Sequence, residues 1–194
     1  LVSSDLGWPV KALDAARATL DAHGDRMTAA PARTLAVRRL LLTGRLDEAE
    51  QMLGLVDPAP LPAASRAALE LVAAGIAMRR LRAGAARAAL ARAERAAREA
   101  DIPALTAEVD SASVMLRTPV ARAIANGEVR LVLLEEVEAL LASGALVVDA
   151  CRYAVSRAGT VVPLATRPVL FTLVRLLSEA WPGDVSRYDL ITKS

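Results

Sequence analysis

The chain has 194 residues, 54% of them hydrophobic and only 3% aromatic, with 24 Lys and Arg against 22 Asp and Glu for a formal charge of +2. This balance excludes an intrinsically disordered, collagen-like or disulfide-built protein, and a compact chain of this length should bury about two-thirds of its unfolded surface in one or two domains. The mean hydropathy is positive at +0.34, yet Arg breaks every apolar stretch well short of the roughly 20 residues a span requires, so no transmembrane helix is predicted. With one cysteine, Cys151, there is no internal disulfide, and Leu1–Asp5 shows no signal peptide, so the expected location is the cytoplasm. The first residue is not Met, and the expectation is a fragment of a longer protein. The basic side is almost all Arg, with Lys11 and Lys193 the two lysines. That composition matches GC-rich codon usage and by itself falls short of a nucleic-acid footprint.

From the start to about Leu116 the sequence is rich in Ala, Leu and Arg, poor in β-branched residues and punctuated by Pro and Gly, the texture of a stack of short helices. A first helix is predicted from Pro9 to His23, stopped by Gly24, with Val10, Leu13, Ala16 and Leu20 on one stripe. A second covers Ala32 to Leu42 and closes on Thr43-Gly44. A third opens at Arg45, with Asp47 and Glu48 in its first turn complementing the helix dipole. Pro58, Pro60 and Pro62 impose a linker. Helices from Ala63 to Leu81 and from Ala85 to Ala100, with a break at Gly84, repeat the arrangement about 40 residues later and align Gly44 with Gly84 and Ala49 with Ala89. The segment Gly44-Arg45-Leu46-Asp47-Glu48-Ala49-Glu50 resembles the start of the second helix of a tetratricopeptide-type repeat. The resemblance spans roughly residues 8 to 116 and implies a helical-hairpin solenoid, although the aromatic consensus positions are unfilled and the spacing is longer than 34.

After Pro119 the texture changes. Residues 117–144 are expected to be a connecting segment, with a short strand at Val129–Leu133 and a short helix at Glu135–Leu141. Cys151, Tyr153 and Val155 alternate with Arg152, Ala154 and Ser156 as in a strand with one wet face, which predicts a buried Cys151. A turn at Arg157–Thr160 and a returning strand at Val161–Leu164 complete an antiparallel hairpin. Val169, Leu170, Leu173, Leu176, Leu177, Ala180 and Trp181 then form one helical stripe ended by Pro182-Gly183, with Trp181 expected in the core. Ser186-Arg187-Tyr188-Asp189 reads as a capping box that opens a last helix.

This order of strand, Gly turn, strand, amphipathic helix and Ser-Arg-x-x-Leu-Ile, carried by Thr160–Leu164, the Leu170, Leu173, Leu176, Leu177 stripe and Val185-Ser186-Arg187 with Leu190 and Ile191, resembles the winged-helix output domain of OmpR-like bacterial transcriptional regulators. The resemblance covers residues 145–194. It implies a partial winged-helix domain that reaches the second helix of the family, the recognition helix and wing lying beyond Ser194. It also implies DNA as a partner of the full-length protein, with Arg167, Ser186, Arg187 and Lys193 as candidate phosphate contacts.

The overall expectation is a mainly α protein: a helical-hairpin domain over 1–116 for sensing, dimerisation or protein contact, a connection over 117–144, and a small α+β winged-helix-like domain over 145–194. The alternative is a helical-repeat interaction scaffold that does not bind DNA. No enzyme is expected. His23 stands near a helix end where its charge suits the dipole, no catalytic base or phosphate loop is evident, and one Cys and one His cannot make a four-ligand zinc site. Glu135, Glu136 and Glu138 read as a solvated helix face. No cofactor, metal site or membrane contact is predicted.

Overall fold

The computed structural model describes residues 26–193, together with Ala12, Ala15, Ala18 and Thr19. The helix expected at Pro9–His23, with Trp8 and His23, lies largely outside the described residues. Among those described, the chain is mainly helical, with eight helices and two small antiparallel sheets. It divides into two compact units at Leu116–Arg117.

The first unit holds α1 (Arg26–Leu42), α2 (Leu46–Gly54), α3 (Ala63–Arg79), α4 (Ala83–Ala100) and α5 (Pro103–Leu116). Helix α1 runs through Pro31, so the expected start at Ala32 is late. The missing proline N–H costs one hydrogen bond, a loss this helix accommodates in its second described turn. Neighbours in sequence pack together as α1 on α2, α3 on α4 and α4 on α5, while α1 and α5 each also pack on α3. Between α3 and α4 the core is largely alanine: Ala67, Ala74, Ala89 and Ala93 are buried, and Leu71, Leu90 and Val109 close it. Small side chains let two backbones approach and leave little room for added volume. A second cluster joins Val37, Leu40, Ala49, Val72 and Ile76 across α1, α2 and α3.

The two helical hairpins are built alike. Helix α1 ends in a Schellman motif, with the Arg45 N–H bonded to the Leu40 carbonyl at 2.9 Å and Gly44 left-handed at φ 76°. Helix α3 ends the same way, with the Arg82 N–H on the Ala77 carbonyl at 2.9 Å and Leu81 left-handed at φ 58°. Leu81, not Gly84, is therefore the counterpart of Gly44, and Gly84 lies inside the first turn of α4. The alignment of Gly44 with Gly84 is corrected to one of 37 residues, which also superposes the helix starts Leu46 and Ala83 and the buried Ala49 and Ala86. A glycine is the usual residue at this left-handed position, and a leucine there hides the repeat.

The second unit begins with the hairpin β1 (Ala121–Ala125) and β2 (Glu128–Val132), followed by α6 (Leu134–Ala142). Strand β1 is absent from the expectation for residues 117–144, which fold here as part of this unit. Asn126 and Gly127, with φ of 53° and 78°, form the two-residue loop, the geometry that gives Asn-Gly its place in tight hairpins. Three further strands, β3 (Val147–Asp149), β4 (Ala154–Arg157) and β5 (Thr160–Pro163), make an antiparallel sheet in the order β3-β4-β5. Helices α7 (Pro168–Ala180) and α8 (Arg187–Lys193) complete the unit.

Three expectations for this unit are corrected. Cys151 and Tyr153 lie in a turn between β3 and β4, and Cys151 is exposed. The Asp149 carboxylate accepts the N–H groups of Cys151 and Arg152 at 2.9 and 3.1 Å, a local competitor that ends the strand. Trp181 is 67% exposed at the end of α7. The buried residue of α7 is Phe171, outside the expected stripe, while Val169, Leu170 and Leu177 of that stripe are exposed. Phe171 meets the Tyr153 ring at 4.9 Å with a 50° tilt, an arrangement aromatic pairs favour.

Candidate functional site

In the first unit, α1, α3 and α5 enclose a groove of about 270 Å³ lined by Leu41, Leu71, Val72, Ala112 and Met115. Arg38 from α1 and Glu108 from α5 also line it and form an ion pair. The groove is thus mostly apolar, with Ser111 and one opposite-charge pair in its lining. Gly75 shapes it from below: a Cβ at that position would lie 2.9 Å from Leu41 Cδ2, so the missing side chain is what admits Leu41 against α3. An apolar channel along successive helices of an array can accept a helix or an extended peptide. None of these residues was a sequence-level candidate. The signal that could have found them is the 37-residue spacing, because it predicts which helices line up.

Ion pairs elsewhere in this unit tie consecutive helices together. Arg80 bonds Asp47 and lies 3.3 Å from Glu50, Arg82 reaches Glu50 at 2.7 Å, Arg92 reaches Glu70 at 2.7 Å, and Arg66 pairs with Glu99. The hydrogen bond to Asp47 raises the Arg80 pKa, and the one to Glu70 raises that of Arg92. These are exposed or half-buried pairs screened by solvent, and they orient helices more than they stabilise them.

In the second unit the four expected phosphate contacts fall at the ends of two helices. Arg167 is the exposed N-cap residue of α7, with Pro168 opening the helix. Ser186 and Arg187 stand together at the start of α8, and the 13 residues of α7 lie between them and Arg167 in the chain. Lys193 closes α8, and its side chain lies outside the described residues. The Ser186 hydroxyl donates to Asp189 Oδ2 at 2.6 Å and accepts the Asp189 N–H at 3.0 Å. Its single proton is therefore engaged within the predicted capping box, with a carboxylate beside it, which leaves Arg167 and Arg187 as the donors best suited to an anion.

On the acidic helix, Glu136 is held by its neighbours. Glu136 accepts the Leu133 N–H at 2.8 Å and the Arg130 guanidinium, and these two hydrogen bonds, the backbone one first, hold its carboxyl below the usual glutamate range. Among the described residues no group of three or more His, Cys, Asp or Glu is placed to hold a metal ion, and no helix is long and apolar enough to cross a membrane. No protein-family model, curated protein or solved structure matches the chain.

Proposed function

We propose that this chain is part of a bacterial DNA-binding transcriptional regulator, with a tetratricopeptide-like helical region for sensing, self-association or protein contact and a winged-helix-like region over 145–194. The observation that carries the reading is an order of elements: the three-stranded antiparallel sheet β3-β4-β5, then the amphipathic helix α7, then α8 opened by the Ser186 cap. That is the order in which OmpR-like domains build the platform for their recognition helix. The 37-residue hairpin spacing and the contacts of α1 and α5 with α3 support a repeat-like helical region. Within the platform, Arg167 and Arg187 position phosphates, Lys193 joins them at the end of α8, and Ser186 acts chiefly as a cap.

The test is a salt titration of duplex-DNA binding by the full encoded protein, with these 194 residues in parallel. The affinity should fall by about 0.9 log unit per log unit of salt for each phosphate contacted, and Arg167→Ala with Arg187→Ala should flatten that slope by about two contacts. A full protein with no salt-dependent DNA binding overturns the proposal. The second reading, an interaction scaffold that does not bind DNA, is favoured by the apolar groove along α1, α3 and α5. In that case partner binding is sensitive to Met115→Glu, whereas Arg167→Ala leaves it unchanged.

A further inference from the structure

The hairpin β1-β2 leaves an unusual surface. Among the described residues no strand lies on the other side of β2, and Glu128, Val129, Arg130 and Leu131 are all exposed. The two-residue loop makes Ala125 and Glu128 the first hydrogen-bonded pair of the ladder. Alternation then turns Glu128, Arg130 and Val132 inward to β1 and points the N–H and C=O groups of Val129 and Leu131 outward. The same alternation puts Ile124, Val129 and Leu131 on one sheet face, with Arg122 opposite Leu131 at its margin and with Val129 at 60% and Leu131 at 68% exposure. A two-stranded hairpin with an open edge and an uncovered apolar face is marginal alone and is completed by further strands.

We infer that a second copy of this chain pairs antiparallel along β2, giving a four-stranded sheet with the two hairpins related by a two-fold axis at Val129. Charge selects both the occupant and the register. With the axis at Val129, Glu128 of each copy faces Arg130 of the other in non-hydrogen-bonded positions, where side chains approach most closely. Among the described residues Glu128 makes no ion pair, and Arg130, which bonds Glu136, is 54% exposed and keeps donors to share. An axis at Arg130 would set two arginines against each other, and one at Leu131 would bring Glu128 against Leu134. At Val129 the two copies exchange the outward N–H and C=O of that residue, and the apolar faces join into one surface of Ile124, Val129 and Leu131 from each hairpin. The outer edge of β1 offers no such match, since antiparallel pairing of Arg122 or Ile124 with itself brings no opposite charges together.

The test is sedimentation equilibrium of the 194-residue chain across micromolar to millimolar concentration. The inference expects a monomer–dimer equilibrium. Val129→Pro removes an N–H that points away from β1, so it spares the hairpin's own ladder and abolishes the dimer, with far-UV circular dichroism verifying the fold. Glu128→Lys is a second probe that disturbs no internal bond. It should weaken the dimer about tenfold or more, and pairing it with Arg130→Glu, which also gives up the bond to Glu136, should recover part of the loss. A chain that stays monomeric throughout overturns the inference and leaves the β2 edge to solvent or to a strand of another protein. A dimer unaffected by both single substitutions overturns it equally. DNA binding does not enter either readout, so this inference and the proposed function fail separately.

Discussion

Two valines on one helix make the sharpest test of the packing described above. Val109 is the one buried residue of α5 and is 1% exposed in the cluster with Leu71, Leu90 and Ala93, whereas Val114, five residues on, is 57% exposed. Val109→Ala removes two methyl groups worth about 0.8 kcal/mol each in transfer from water. The residual cavity adds up to about 1 kcal/mol, and the better helix propensity of alanine returns roughly 0.5 kcal/mol. The net loss is about 2 kcal/mol, or ~8 °C in the melting midpoint of a unit of this size. Val114→Ala has no burial to lose and should be neutral or stabilising by about 0.5 kcal/mol. Urea denaturation followed by circular dichroism measures both, and amide exchange within α5 shows whether that helix loosens first. Equal effects from the two substitutions, or a change below ~0.5 kcal/mol for Val109→Ala, would refute the view that α5 is docked through Val109.

Other consequences concern single groups. The Ser156 side chain is buried at 8% exposure and its Oγ lacks a hydrogen-bond partner, so Ser156→Ala should stabilise the second unit by about 1 kcal/mol. Both tyrosines and the only phenylalanine lie beyond residue 116, so their near-ultraviolet dichroism reports that transition, and a lowered midpoint would contradict the assignment. Glu136→Ala should lower the stability of the second unit at neutral pH. Because the Glu136 pKa is held low in the folded state, its contribution is fully present above the ordinary glutamate range and fades as pH falls through the lowered value. The difference between the two proteins should therefore shrink towards acid, and one that grows would be inconsistent with this role. Gly75→Ala gains about 1 kcal/mol of helix propensity and must displace Leu41. Net stability should change by less than ~1 kcal/mol while the Leu41 methyl resonances shift; unshifted resonances would deny the contact.

The helical texture up to Leu116, the turn at Arg157–Thr160, the return strand and the Ser186 cap were legible because each is a local signal. Schellman ends, tight turns and capping boxes depend on a few neighbouring residues, and apolar periodicity marks an element whatever it packs on. What sequence reasoning missed depends on more distant partners or on an exception to a preference. A left-handed leucine at position 81 disguised the 37-residue repeat and pushed the break to Gly84. Asn126-Gly127 carries a strong hairpin signal, but the alanines of β1 are weak strand formers, and β1 went unseen. Cys151 and Tyr153 fit a period of two, yet the Asp149 carboxylate captured the backbone and made a turn. The stripe on α7 was real as a periodicity, but periodicity does not say which side is covered, and Phe171 faces the packed side.

Strand β4 is bounded at both ends by residues in the left-handed region: Tyr153 at φ 49° before it, and Ala158 at φ 49° with Gly159 at φ 81° after it. For Tyr153 and Ala158 this conformation costs roughly 1 kcal/mol each relative to extended backbone. A strand normally can trade register with its neighbour by lengthening at one end and shortening at the other. Here each end is fixed by a conformation that cannot propagate into a ladder, so β4 acts as a ruler of four residues. A one-residue slip would turn Ala154 and Ser156 outward and bring Val155 and Arg157 in, and it would also have to unwind one of the two stops. The sheet thus takes its alignment from its ends, and substitutions along its middle can alter its stability without altering its register.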